Sequence, residues 1–139
     1  MTTTRNASAV WNGSLTEGSG QVSLDSSNIG QYPVSWPARS AEPDGVTSPE
    51  ELIAAAHSTC FAMALSLGLT KAGTPPTELR TAAEVDFTPG TGITAIRLTV
   101  SGDVPGLDAE GFKEAAEAAK AGCPVSQALS AVPITLTVS

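Results

Sequence analysis

Basic residues are scarce in this chain. Seven lysines and arginines stand against fourteen acidic residues in 139 positions, for a formal charge of −7. The seven (Arg5, Arg39, Lys71, Arg80, Arg97, Lys113, Lys120) are scattered rather than clustered. A phosphate backbone is repelled on average by such a surface, so nucleic acid is not expected as a partner. Histidine is limited to His57 and cysteine to Cys60 and Cys123. These three lack the paired short spacing of a zinc site, and no metal centre is expected. No C-x-x-C occurs, which argues against a general disulfide-exchange protein. The N-terminal M-T-T-T-R-N-A-S carries no hydrophobic signal, and the longest apolar-rich run is broken by His57, Ser58, Thr59 and Ser66. Neither export nor a membrane anchor is expected, and the expected location is the cytoplasm. A lasting structural disulfide is out of place there. The two cysteines are therefore either inert or a reversible redox pair.

What is present reads as one α+β domain over residues 1–139, with no internal repeat or low-complexity tract. Residues 1–47 hold short strands and a long loop. Ala7 to Trp11 and Gln21 to Leu24 alternate apolar and polar residues and are flanked by N-G and G-S-G turn signals. Ser27 to Thr47, rich in Pro, Gly, Asp and Ser, reads as a long loop with a brief edge strand. Residues 48–72 form the clearest helix: Ser48 is an N-cap candidate, Pro49 suits the first helical position, and Glu51 completes an S-x-x-E box. Gly73 and Pro75-Pro76 stop it. Its interior is apolar on nearly every face, so it belongs at the centre, against a sheet on one side and a second copy of itself on the other. A homodimer follows as the expectation. Residues 78–103 alternate in period two around a P-G-T-G turn and predict a hairpin. Residues 108–131 predict an amphipathic helix to about Ala121 and then a brief one, and 133–138 a final strand.

Four residue types carry candidate chemistry. Cys123 stands before Pro124 at a helix start, where unsatisfied N–H groups and the helix dipole favour a thiolate. Cys60 lies mid-helix among apolar residues, where desolvation raises a thiol's pKa and keeps it inert unless another segment brings a cation. By local sequence Cys123 is the better-activated thiol. His57, three residues before Cys60, invites a nucleophile and base pairing, but no orienting Asn or Asp is evident and the spacing seldom aims an imidazole at the neighbouring sulfur. Arg39, in W-P-A-R-S, is the cation best placed to serve a buried thiol. Glu50 suits the first turn of its helix through the dipole. It stands ten residues from Cys60, about 15 Å along a helix, so it meets that sulfur only through a long arginine or from a partner subunit.

The stretches S-P-E-E-L-I-A-A-A-H-S-T-C-F-A-M-A-L and G-C-P-V-S-Q-A-L, in a chain of this length, resemble the OsmC and Ohr superfamily of thiol-dependent organic hydroperoxide reductases. The resemblance covers the whole chain and is closer to the OsmC branch, because Ohr proteins place their arginine nearer the N-terminus than Arg39. It implies an intertwined homodimer with β-sheets wrapped around central helices and active sites at the subunit interface. It implies a peroxidatic role for Cys60, a resolving role for Cys123, thiolate activation by Arg39, and orientation of Arg39 by Glu50, which reverses the local ranking of the two sulfurs. The chemistry implied is attack of Cys60 on a hydroperoxide, release of the alcohol, and closure of the sulfenic acid into a disulfide by Cys123. A dithiol, of lipoyl type by family precedent, reopens it, and no metal, haem or flavin is needed. Leu52, Ala56, Phe61 and Met63 are the candidates for an apolar pocket that favours organic peroxides. The alternative reading is a non-enzymatic dimeric module that holds an apolar ligand between its helices, with both cysteines inert.

Overall fold

The computed structural model describes residues 1–139. Internal packing divides the chain into two compact units, 1–49 and 50–139.

In the first unit, β1 (Ser8–Asn12), β2 (Ser19–Ser23) and β3 (Gln31–Val34) form an antiparallel meander in the order β1-β2-β3. The chain then turns into a five-residue helix, α1 (Trp36–Ser40), inside the segment expected to be mostly loop. The local cause is legible afterwards. Ser35 is extended and its hydroxyl accepts from the Ala38 N–H at 3.3 Å, while Pro37 falls in the first helical positions where its missing N–H costs nothing. Val34 then bridges to Thr47 in parallel, so the intervening segment folds back on the strand it left.

In the second unit a long helix, α2 (Pro49–Lys71), leads into β4 (Glu78–Thr88) and β5 (Gly92–Asp103), an antiparallel hairpin with a bulge at Asp86/Phe87. Gly90 (φ 83°) and Gly92 (φ 111°) supply the left-handed backbone of its turn. A second helix, α3 (Ala109–Gly122), is capped by Asp108, whose carboxylate accepts from the Gly111 N–H at 2.8 Å. A short α4 (Pro124–Ala128) follows after the single residue Cys123, and β6 (Ile134–Val138) lies parallel to β5. The sheet order β4-β5-β6 puts β5 in the middle. Its alternate residues Ile96, Leu98 and Val100 are buried with Phe61, Leu65 and Leu69 of α2 and Phe112, Ala116 and Ala119 of α3. Both helices therefore cover one face of the sheet. At a spacing of four residues, Phe61, Leu65 and Leu69 form one stripe of α2.

Within one chain α2 is not buried all round. Its buried positions are Glu50, His57, Phe61, Leu65 and Leu69, whereas Met63 and Leu67 are 69% and 56% exposed. The sheet takes one face of the helix, and an equally apolar face is left outward.

Candidate active site

The two cysteines come together across the second unit. Cys60 belongs to the fourth turn of α2; Cys123 is at once the last residue associated with α3 and the cap of α4. Its N–H donates to the Ala119 carbonyl at 2.9 Å and its carbonyl accepts from the Gln127 N–H at 3.0 Å, so the backbone is pinned on both sides. The sulfurs are reduced, Cys123 wholly buried and Cys60 half-buried, and each acts directly on the other's proton.

At about 100° per residue, α2 places Cys60 on the border between two faces. The buried stripe lies on one side of it, and Leu52, Ala56 and Met63 lie together on the other. This border position explains how a thiol touches a buried partner and still keeps partial access. Of the four pocket candidates, Leu52 is half-buried, Ala56 and Met63 are exposed, and Phe61 is wholly buried in the core. Phe61 and Met63 are two positions apart and point to opposite sides, so the four do not share one face.

The electrostatics of the pair follow the local reading of the sequence. Burial pushes the Cys60 thiol above its ordinary value, and the neighbouring Cys123 sulfur adds to the rise against an opposing effect of the Val125 N–H. For Cys123 burial acts in the same upward direction. It is outweighed by hydrogen-bonding interaction with Cys60, with the Ser126 N–H and hydroxyl, and with the Val125 N–H, so this thiol is held below its ordinary value. Cys123 makes no full capping hydrogen bond through its side chain; the N–H groups act on it as nearby dipoles.

His57 is fully buried, and its Nε2 lies 2.7 Å from the hydroxyl of Ser126, itself 6% exposed. The imidazole is therefore directed at α4 and not at Cys60 as a base. Burial lowers its pKa, and Nδ1 has no hydrogen-bond partner. Ser126 went unremarked in the sequence, although a hydroxyl three residues after a capping cysteine is a readable signal. Arg39 is half-buried in the last turn of α1, within the first unit. Glu50 is 7% exposed in the first turn of α2, about 15 Å along that helix from Cys60. No cluster of three or more His, Cys, Asp and Glu side chains is arranged to hold a metal ion.

A family model described as OsmC-like protein matches residues 42–138. The peroxiredoxin OsmC of Escherichia coli strain K12 is 45% identical over 134 residues, which span 94% of this chain and 93% of that protein. A crystal structure of an OsmC-like protein from Mycoplasma pneumoniae superposes with a TM-score of 0.75 at 17% identity, covering 100% of this chain and 98% of the other. An organic hydroperoxide resistance protein from Elizabethkingia anophelis superposes with a TM-score of 0.72 at 27% identity, covering 100% and 99%. The α+β arrangement expected from the sequence is the fold these proteins share.

Proposed function

Because the chain belongs to the OsmC family and is a peroxidase of the peroxiredoxin kind, we propose that it reduces organic hydroperoxides to alcohols with Cys60 as the attacking sulfur and Cys123 as the resolving one. The observation that carries this reading is the convergence of the chain's two thiols, Cys60 from α2 and Cys123 from the junction of α3 and α4. Cys60 thiolate attacks the outer peroxide oxygen, the O–O bond breaks, and the alkoxide leaves as the alcohol after taking a proton. The resulting Cys60 sulfenic acid is attacked by Cys123 thiolate, which forms the disulfide and expels hydroxide, and this takes a proton from solvent to become water. An external dithiol of lipoyl type restores both thiols by exchange.

The first step requires a Cys60 thiolate, and burial opposes it. Arg39, oriented by Glu50, is the source of positive charge in this reading, because an opposite charge within a few ångströms favours the ionised form by one to three pH units or so. The outward face of α2 supports an assembly of two copies. Met63 and Leu67 with Ala55 and Ala56 form an uncovered apolar surface on a helix of mean hydropathy 1.7 over its most apolar window. A second α2 covers it most economically, and the half-exposed side of Cys60 then faces an apolar interface suited to an alkyl peroxide. The cytoplasm, with its dithiol reductants, is the compartment that fits.

The test is consumption of tert-butyl or cumene hydroperoxide with excess dihydrolipoamide, thioredoxin or glutathione in parallel. Turnover with organic peroxides and a dithiol, lost in Cys60→Ser, supports the reading. Unchanged turnover in Cys60→Ser contradicts it.

A further inference from the structure

His57 has no part in the peroxide chemistry above, yet it is the chain's only histidine and is wholly buried. A buried imidazole is retained at a cost unless both ring nitrogens are satisfied, and here Nδ1 is not. Its one bond, 2.7 Å from Nε2 to Ser126 Oγ, joins α2 to α4. On either side of that bond the adjacent helical turn carries a cysteine: Cys60 lies three residues after His57, and Cys123 three residues before Ser126. The Ser126 hydroxyl stands beside the Cys123 sulfur and favours its thiolate. His57, Ser126, Cys123 and Cys60 thus form one continuous chain of polar groups through the interior.

The direction of the protons along this chain is set by which nitrogen of His57 carries hydrogen. If Nδ1 is protonated, a buried N–H is orphaned and the Ser126 proton is spent on Nε2. If Nε2 is protonated, it donates to Ser126 Oγ, the serine proton is free for sulfur, and the orphan at Nδ1 is an acceptor, a less costly group to leave unpaired. A charged imidazolium would bury an unpaired N–H as well, in keeping with the downward displacement of its pKa by burial alone. The titratable neighbour of Cys123 is Cys60, and no carboxylate or ammonium acts on either Cys123 or His57.

We propose that His57 is a positioning residue for the resolving step: its Nε2–H donates to Ser126 Oγ, which directs the Ser126 hydroxyl proton at Cys123 Sγ and holds that sulfur as the attacking thiolate against Cys60. The proposal rests on the peroxidase reading for the word resolving, and its geometry stands apart from it. In the step served, the Cys123 electron pair forms the S–S bond, the Cys60 S–O bond breaks, and the departing hydroxide takes from solvent the proton that Cys123 released on ionising, leaving as water. Ser126 retains its own proton throughout and only orients it.

The test is titration of Cys123 by its ultraviolet thiolate absorbance in a Cys60→Ser background, which needs no turnover. Ser126→Ala raises the Cys123 pKa by about one unit, the loss of one hydrogen bond to a charged acceptor. His57→Leu raises it in the same direction, while Ser126→Thr and His57→Gln, which keep the hydroxyl and the donor, leave it near its starting value. With Cys60 present, Ser126→Ala slows disulfide closure about tenfold near neutral pH, read as the decay of pre-formed Cys60 sulfenic acid. Nitrogen NMR of the unsubstituted protein decides the point without any variant: His57 is the neutral Nε2–H tautomer. An Nδ1–H tautomer, or a Cys123 titration unmoved by Ser126→Ala, overturns the proposal. Failure of hydroperoxide turnover with these two results intact overturns the peroxidase reading instead.

Discussion

At the scale of single residues, the difficulty is that the sulfur assigned to attack is the one whose thiolate burial disfavours. Cys60 lies above its ordinary pKa and Cys123 below it, so Cys60 depends on charge supplied from elsewhere. Thiolate is the deprotonated form, and its fraction rises with pH. Arg39→Ala is therefore expected to lower kcat/KM for a hydroperoxide about ten- to hundredfold near neutral pH and to leave a rate that keeps climbing into the alkaline range, where the unsubstituted enzyme has already levelled off. A pH–rate profile of both proteins checks this; coincident profiles remove Arg39 from the mechanism. His57 gives a stability prediction of definite sign. Its folded pKa is lowered from 6.5 by burial, so the unfolded chain binds the extra proton first as pH falls. Stability is full above about pH 6.5 and declines below it toward the folded value. Urea midpoints measured between about pH 7.5 and 5 fall in the parent and fall less in His57→Gln.

At the scale of elements, α2 does two jobs with two faces, and the core face is the one that fixes the site. Phe61 is wholly buried one residue from Cys60 in sequence and on the sheet side of the helix. Phe61→Ala is expected to cost about 3–5 kcal/mol in urea unfolding, the range for a large buried aromatic. A loss under about 1 kcal/mol would mean that α2 is held by something other than its stripe on β5. This helix was also the element most legible in the sequence, because the Ser-Pro start, the glycine stop and the apolar interior all mark the same boundaries. The period-two runs of β4 and β5 were legible for the same reason. What the sequence hid was relational. The parallel placement of β6 beside β5 depends on packing of α3 and α4, which no local pattern encodes. The short α1 was masked because prolines on both sides made Ser35 to Ser40 read as loop, although Ser35 caps it and Pro37 suits its start. Cys60 and Cys123 were readable as the candidate thiols, but Ser126, which meets His57 across the fold, was not, since its importance lies in a bond across the fold rather than in its neighbours along the chain.

At the scale of the whole molecule, the outward apolar face of α2 is the feature that a single chain leaves without purpose. Met63→Glu and Leu67→Glu put charges on that face, where the two side chains are 69% and 56% exposed in the single chain. In sedimentation equilibrium the parent is expected as a dimer and the double variant shifted toward monomer, with peroxidase activity falling alongside it; a monomeric parent with full activity contradicts the shared interface. The central claim concerns which sulfur meets the peroxide, and one measurement reaches it most directly. Cys123→Ser is mixed with a single equivalent of tert-butyl hydroperoxide in the presence of a sulfenic-acid trap, and the adduct is located by peptide mass spectrometry. A stoichiometric adduct on Cys60, with none formed on Cys123 in the parallel Cys60→Ser reaction, is the predicted result. An adduct on Cys123 in Cys60→Ser formed at the same rate would contradict the assignment and return the attacking role to the sulfur that local electrostatics favours.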